Sequence, residues 1–204
     1  MPEKIASADY KINELIAVRW SPYAFDDRPI SQADILSIFE SARWAPSSYN
    51  EQPWSFIAAT KDMPEEYERV LSCLVEANQA WAKSAPLLAI GVVSLNFSRN
   101  GKPNRAAVHD LGLAAANLVV EATARGLYCH QMIGIDPQRA RETFGIPEGH
   151  EAWTAIAVGY KGDSTKLPDE LKQRDLAARH RKNINEFVFT GKWGSASKLV
   201  AGKS

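Results

Sequence analysis

The sequence predicts a single layered domain of the α/β or α+β class, and three observations carry that expectation. Four short apolar runs rich in branched or aromatic residues are interleaved with helical segments, the pattern of a sheet covered by helices. One segment, Ala106 to Arg125, is apolar nearly all round, as suits a helix buried between other elements. The 204 residues amount to between one and two domains at ~150 residues each, enough to bury a core without staples. Strand order does not follow from the pattern.

In chain order, Tyr10 to Val18 carries Ile12, Leu15 and Ile16 at helical spacing and runs into a polar, proline-containing stretch from Arg19 to Ile30. Ser31-Gln32-Ala33-Asp34 is a capping-box-like start, and Ile35, Ile38, Phe39 and Ala42 follow on one face, which predicts a helix over about 32–43. Pro46 to Pro53 reads as an irregular loop, and Trp54 to Thr60 as a short strand. Pro64 to Ser84 reads as one long helix with proline in its first turn. Pro86 to Ser94 suits a buried strand, and Asn96 to Arg105 a loop.

The apolar helix from Ala106 then ends at Gly126, placed to close it in a left-handed turn. Leu127 to Ile133 is a strand. Asp136-Pro137 opens a short helix, with aspartate as cap and proline at the first helical position, and that helix stops near Phe144 and Gly145. Ala152 to Tyr160 is another strand. The last 40 or so residues are charged and weakly periodic up to Arg179-His180-Arg181-Lys182, after which come Phe187-Val188-Phe189 and Gly191-Lys192-Trp193-Gly194. No repeat, low-complexity tract or interdomain linker is visible.

Composition narrows the partners. Lysine plus arginine number 24 and aspartate plus glutamate 24, a net charge of zero, which argues against a general binder of nucleic acid or anionic membranes. The longest apolar stretch, Ala85 to Val93, is about half of what a membrane-spanning helix needs. Two cysteines, Cys73 and Cys129, without CxxC spacing suggest neither a disulfide scaffold nor zinc or thiol redox chemistry. Met1 to Asp9 has no apolar segment after its charges, so no signal peptide is read, and a reducing cytoplasm is expected.

Familiar catalytic signatures are missing: GxGxxG, GxxxxGK[ST], GxSxG and HExxH are all absent. His109, His130, His150 and His180 occur singly, so no metal site is expected. Cys129-His130 is an adjacent pair, but neighbours on a strand point to opposite faces. A buried thiol is the better reading of Cys129.

Three segments carry more. Arg19-Trp20-Ser21-Pro22-Tyr23 offers a guanidinium, hydroxyls and backbone amides in a turn, a set suited to phosphate. Arg179-His180-Arg181-Lys182 is a second basic group near the other end of the chain; either alone reads better as a solvated basic patch. Between them, the loop Pro46-Ser47-Ser48-Tyr49-Asn50-Glu51-Gln52-Pro53-Trp54 is dense in donors and acceptors.

In order and wording these segments resemble the nitroreductase family of flavin-dependent oxidoreductases. The matching text is Arg19-x-Ser21 with Phe25, Pro29 and Ile30, then Ala42-Arg43-Trp44-Ala45-Pro46-Ser47-Ser48 with Asn50, Gln52, Pro53 and Trp54. Asp110-Leu111-Gly112 with Ala115, Asn117 and Leu118 looks like the family's central helix. Met132-Ile133-Gly134, Ala157-Val158-Gly159-Tyr160 and Arg179-x-Arg181 continue the series. The resemblance runs from about residue 14 to 194, and the Pro-Ser-Ser-x-Asn-x-Gln-Pro-Trp loop is its most specific part.

The resemblance implies an α+β fold with a central mixed sheet flanked by helices, and one domain over 1–204, divided into a core at 10–160 and an extension at 161–204. It implies a homodimer with FMN at the interface, a C-terminal segment exchanged with the partner, and the Ala106 to Arg125 helix at the dimer core. The implied cofactor set is tightly bound FMN with NAD(P)H as transient co-substrate. The implied activity is ping-pong reduction of nitro-aromatic, quinone or similar electron-poor compounds; a flavin-binding protein without turnover is the alternative.

By the same resemblance, Arg19, Trp20, Ser21 and Tyr23 belong to the flavin's phosphate side, and Arg179 and Arg181 close on the phosphate. Pro46, Ser47, Ser48 and Asn50 line the flavin from the other subunit, and Gln52 lies near it. Ile133 and Gly134 lie beside the ring, where hydrogen bonds tune its electronics. No side chain is expected to be catalytic, since the flavin carries the hydride. Three departures stand out: Tyr23 replaces a basic residue, Ile133 an acidic one, and Glu76 to Gln79 offers no clear counterpart of the Asn and Lys some relatives use.

Overall fold

In the computed structural model, residues 4–200 are described. The element order is α1 (Glu14–Val18), β1 (Phe25–Asp26), α2 (Gln32–Arg43), β2 (Trp54–Thr60), α3 (Pro64–Ser72), α4 (Glu76–Ala82), β3 (Leu87–Ser94), α5 (Ala107–Ala124), β4 (Tyr128–Met132), α6 (Pro137–Phe144), β5 (His150–Lys161) and α7 (Asp169–Leu176). Caps behave as the sequence predicts. Ser31 accepts from the Asp34 N–H at the start of α2, Asp136 from the Arg139 N–H ahead of Pro137, and Gly126 takes a left-handed φ of 70° after α5.

The strands form one sheet in the order β1-β5-β3-β2, with β4 also paired to β5. β5 is its hub, joined to β1, β3 and β4, and every pairing is antiparallel. The α+β class holds, but the expected mixed sheet does not: each crossover returns the chain against the direction of its neighbour.

Alternation along β3 divides the core. Leu88, Ile90 and Val92 face Tyr67, Val70, Trp81 and Ala140 of α3, α4 and α6, whereas Leu87 and Ala89 face Ile38 of α2 and Ala114 and Leu118 of α5. Burying each large aliphatic side chain stabilises by about 1.5–3 kcal/mol. Cys129 belongs to the α2–α5 side, while the ring of His130 packs on Trp81 at 4.4 Å between centroids. The two neighbours therefore point to opposite faces, as strand geometry requires.

Three expectations about elements need correction. The long helix over 64–84 is two helices, α3 and α4, because Leu74 bridges to Ile135 and the Val75 N–H donates to the Gly134 carbonyl at 3.0 Å. These partners lie some 60 residues away and capture backbone that a continuous helix would need. The tail, read as weakly periodic, contains α7, and the polar stretch after Arg19 contains β1.

Candidate functional site

The Arg19–Tyr23 segment leaves α1 and runs beside β4. Trp20 is buried edge-on to Tyr128, with ring centroids 5.9 Å apart, and the Pro22 carbonyl lies 2.9 Å from Nδ1 of His130. This leaves Arg19 half-buried, with Nη1 donating to Ser21 Oγ at 3.3 Å.

Arg179 arrives from the far end of the chain. Its Nη1 donates to the carbonyls of Lys4 and Ala17, at 2.9 and 2.6 Å. Arg19, Arg179 and Arg181 then line one cavity of about 710 Å³, together with the 6–10 segment, Ile16 and Phe187. Burial lowers the pKa of Arg19, and the Arg181 charge lowers it further. Arg179 is lowered for the same reasons, burial first and then Arg19 and Arg181. Three guanidiniums are thus held close enough to repel one another, an arrangement that an anion relieves. Guanidinium forks match phosphate oxygens.

Trp20, Ser21 and Tyr23 do not line this cavity, and Ser21 is tied to it through its bond from Arg19. Tyr23 packs edge-on to Trp81 at 5.2 Å and 4.7 Å from the His130 ring, so its side chain is spent on the core.

The Pro46–Gln52 loop is a second constellation. Tyr49, Asn50 and Gln52 have positive φ of 55°, 55° and 51°, a left-handed conformation that costs non-glycine residues about 1–2 kcal/mol each. Hydrogen bonds hold it. The Ser48 N–H donates to the buried Asp110 at 2.9 Å, the Gln52 N–H to Ser47 Oγ at 3.0 Å, and Gln52 Nε2 to the Asn50 carbonyl at 3.1 Å. Strain over-determined in this way clusters at functional sites. Tyr49 projects outward, 74% exposed, with the Arg99 guanidinium 4.1 Å over its ring.

Ile133 and Gly134 form the turn after β4. Ile133 is 82% exposed. A Cβ on Gly134 would press on Asn78 Nδ2 and sit 3.0 Å from Val75, so glycine allows this close approach and any larger residue displaces Asn78. The Gly134 carbonyl accepts from the Val75 N–H and from Asn78 Nδ2, each at 3.0 Å. Among the described residues its N–H meets no protein acceptor. Asn78 was not marked by its local sequence; its role arises only because α4 packs against this turn.

The three constellations do not share a cavity within one chain: the arginine cavity contains none of Pro46, Ser47, Ser48, Asn50, Gln52, Ile133 or Gly134. Cys129 cannot serve as a thiolate nucleophile there, since burial pushes its pKa up to about 12. Among the described residues no cluster of three or more His, Cys, Asp or Glu could hold a metal ion, and no helix is long and apolar enough to cross a membrane.

Comparison with known proteins decides the family. Residues 16–160 match the model of the Nitroreductase family. The chain belongs to the nitroreductase family. That match covers most of the chain, including the Arg19 segment, the strained loop and the Gly134 turn, and it makes the protein an oxidoreductase. A crystal structure described as that of an oxidoreductase containing FMN superposes with a TM-score of 0.88 at 32% identity, covering 96% of this chain and 99% of that one. A 15.4 kDa protein of Mycolicibacterium smegmatis, itself uncharacterised, is 31% identical over 134 residues, 66% of this nitroreductase-family chain and 89% of its own length. An Archaeoglobus fulgidus protein provisionally named an NADH dehydrogenase/NAD(P)H nitroreductase is 29% identical over 155 residues, 74% of this chain and 85% of that protein.

Proposed function

We propose that the protein is an FMN-dependent oxidoreductase that consumes NADH or NADPH and reduces nitro-aromatic, quinone or similar electron-poor compounds, working as a homodimer. The observation that carries this reading is the convergence of Arg19, Arg179 and Arg181 on one cavity in a chain whose charges cancel. Such a donor set fits the phosphate of FMN. Hydrogen bonds to charged groups contribute about 1.5–3 kcal/mol each, which supports tight retention.

Strand β4 supplies the spacing. Trp20 and Pro22 hold the Arg19 segment against Tyr128 and His130 at the start of β4, and the strand runs about 13 Å of extended chain from Tyr128 to Met132, where the turn that holds Gly134 begins. A flavin held by its phosphate at the Arg19 end would have its ring toward the other end of that strand, where the Gly134 N–H would be a donor for it. Bound FMN supplies the redox chemistry, accepting and returning a hydride equivalent. The protein's share is position and field: Arg19, Arg179 and Arg181 would hold the phosphate, with Ser21 accepting from Arg19, and Ile133 and Gly134 would border the ring. The reading gives Trp20 and Tyr23 a supporting place behind the phosphate segment and assigns no side chain a catalytic step.

The dimer completes the site. The Pro46–Gln52 loop of one protomer would line the flavin held by the other, in keeping with its absence from the arginine cavity. Exposed small or apolar residues along α5, with Val120 38% exposed, and Trp193 in the tail, 91% exposed, are surfaces for a second copy. One domain over 1–204, with core 10–160 and the extension 161–204 reaching the partner, belongs to the same reading; residues 1–3 and 201–204 lie outside those described. So does a reducing cytoplasmic setting, in keeping with Cys73 and Cys129 as buried free thiols.

Steady-state oxidation of NADH and NADPH by the FMN-loaded protein, with a nitro-aromatic, a quinone and an activated alkene, tests the reading. Parallel-line, ping-pong kinetics with at least one acceptor are expected. FMN binding without oxidation of either nucleotide would instead make it a flavin-binding protein without turnover.

A further inference from the structure

The structure assigns Asp175 the role of a positioning residue: its carboxylate bolts α7 to the Arg19–Tyr23 segment and so brings Arg179 and Arg181 to Arg19. The inference rests on the flavin-phosphate reading of that cluster.

Asp175 is 2% exposed. Its Oδ1 accepts from the Tyr23 N–H at 2.7 Å, across 152 residues of sequence, and its Oδ2 from the Ser164 hydroxyl at 2.8 Å. Its backbone carbonyl accepts from Lys4 Nζ at 2.6 Å. A carboxylate buried to this degree is retained only where its oxygens are satisfied, and here each has a donor.

The placement of these bonds is what assigns the role. Four residues beyond Asp175, Arg179 donates to the Ala17 carbonyl. The tail is therefore pinned to the first segment at Tyr23 and at Ala17, and Arg19 and Ser21 lie between the two pins. Three guanidiniums that repel one another need a mechanical restraint when no anion is present. The two pins supply it, and of the two the Asp175 pin is the one made without a guanidinium. Asp175 does not itself line the cavity and, on this reading, does not touch the flavin.

Equilibrium binding of FMN and of riboflavin, which lacks the phosphate, tests the role by flavin fluorescence on flavin-stripped protein. The wild-type chain should bind FMN more tightly than riboflavin. Losing the charged acceptor under the Tyr23 N–H should weaken FMN binding about tenfold in Asp175→Ala, while riboflavin binding stays within about twofold. Asp175→Asn, whose amide oxygen can still accept that N–H, should recover most of the loss. Should Asp175→Ala not fold, Ser164→Ala, which removes one donor only, is expected to lose FMN affinity about threefold with riboflavin unchanged.

A preference for FMN that survives both Asp175→Ala and Ser164→Ala overturns the proposal, as does an equal loss of both flavins, which a merely structural role would give. A wild-type chain that binds FMN no better than riboflavin overturns instead the phosphate reading on which the proposal stands.

Discussion

The Ser48 N–H donates to Oδ2 of Asp110 at 2.9 Å, joining two residues 62 positions apart. Asp110 is 2% exposed in the first turn of α5, and its other oxygen lies 2.9 Å from Nδ1 of His109. The bond ties the most specific loop of the family pattern to the central helix, just ahead of Tyr49 and Asn50 in their left-handed conformation. Asp110→Ala should lower stability by about 1–3 kcal/mol, read from the urea midpoint, and should weaken flavin retention as the loop relaxes. A midpoint unchanged from wild type would contradict this account of the loop.

Arg19→Ala removes one of the three guanidiniums that line the cavity proposed to hold phosphate. FMN affinity should fall tenfold or more, since a charge-assisted hydrogen bond contributes about 1.5–3 kcal/mol, and riboflavin affinity should change little. The residual FMN binding should also depend less on salt than in the wild type. Isothermal titration at two ionic strengths checks both outcomes.

His130 is largely buried between Tyr23 and Trp81, and burial lowers its pKa, partly offset by the hydrogen bond to Pro22 and the charge of Asp175. The folded state thus favours the neutral ring, with Nδ1 donating to the Pro22 carbonyl. The unfolded chain takes up a proton at an ordinary pKa near ~6.5. Stability is therefore fully present above that value and is lost as pH falls from it toward the lower folded pKa. Replacing His130 by Gln should flatten this loss by up to about 1.4 kcal/mol per pH unit within the window, measured by urea denaturation from about two pH units below to about one above the ordinary imidazole value.

Gly134→Ala forces a methyl group against Asn78 and Val75. Asn78 must then release the Gly134 carbonyl, at a cost of about 1 kcal/mol, and the turn that presents the free N–H shifts. The expected readout is a lower urea midpoint and an altered visible spectrum of the FMN-loaded protein. A spectrum and midpoint matching the wild type would remove Gly134 from the ring environment.

Local signals in the sequence were enough for α2, β2, β3, α5 and α6, where caps, proline positions and apolar spacing agree with the final packing. They failed where distant partners decide. The break between α3 and α4 depends on Ile135 and Gly134 capturing Leu74 and Val75, and nothing between Pro64 and Ser84 announces it. β1 has only two residues and exists through its pairing with Tyr160 and Lys161. Within the site, Arg19 and the Arg179–Arg181 pair were legible as separate basic groups, and the family pattern joined them. Asp175 and Asn78 were not legible: each acts through a bond to backbone more than 50 residues away, which no local pattern records.

The central claim is that Arg19, Arg179 and Arg181 mark a site for FMN. The absorption spectrum of the purified protein, followed by fluorescence titration with FMN, tests it most directly. The account predicts a yellow protein with flavin absorbance bands, or a colourless one that quenches FMN fluorescence to a saturable endpoint. A colourless protein that leaves FMN fluorescence unchanged at every concentration would contradict it.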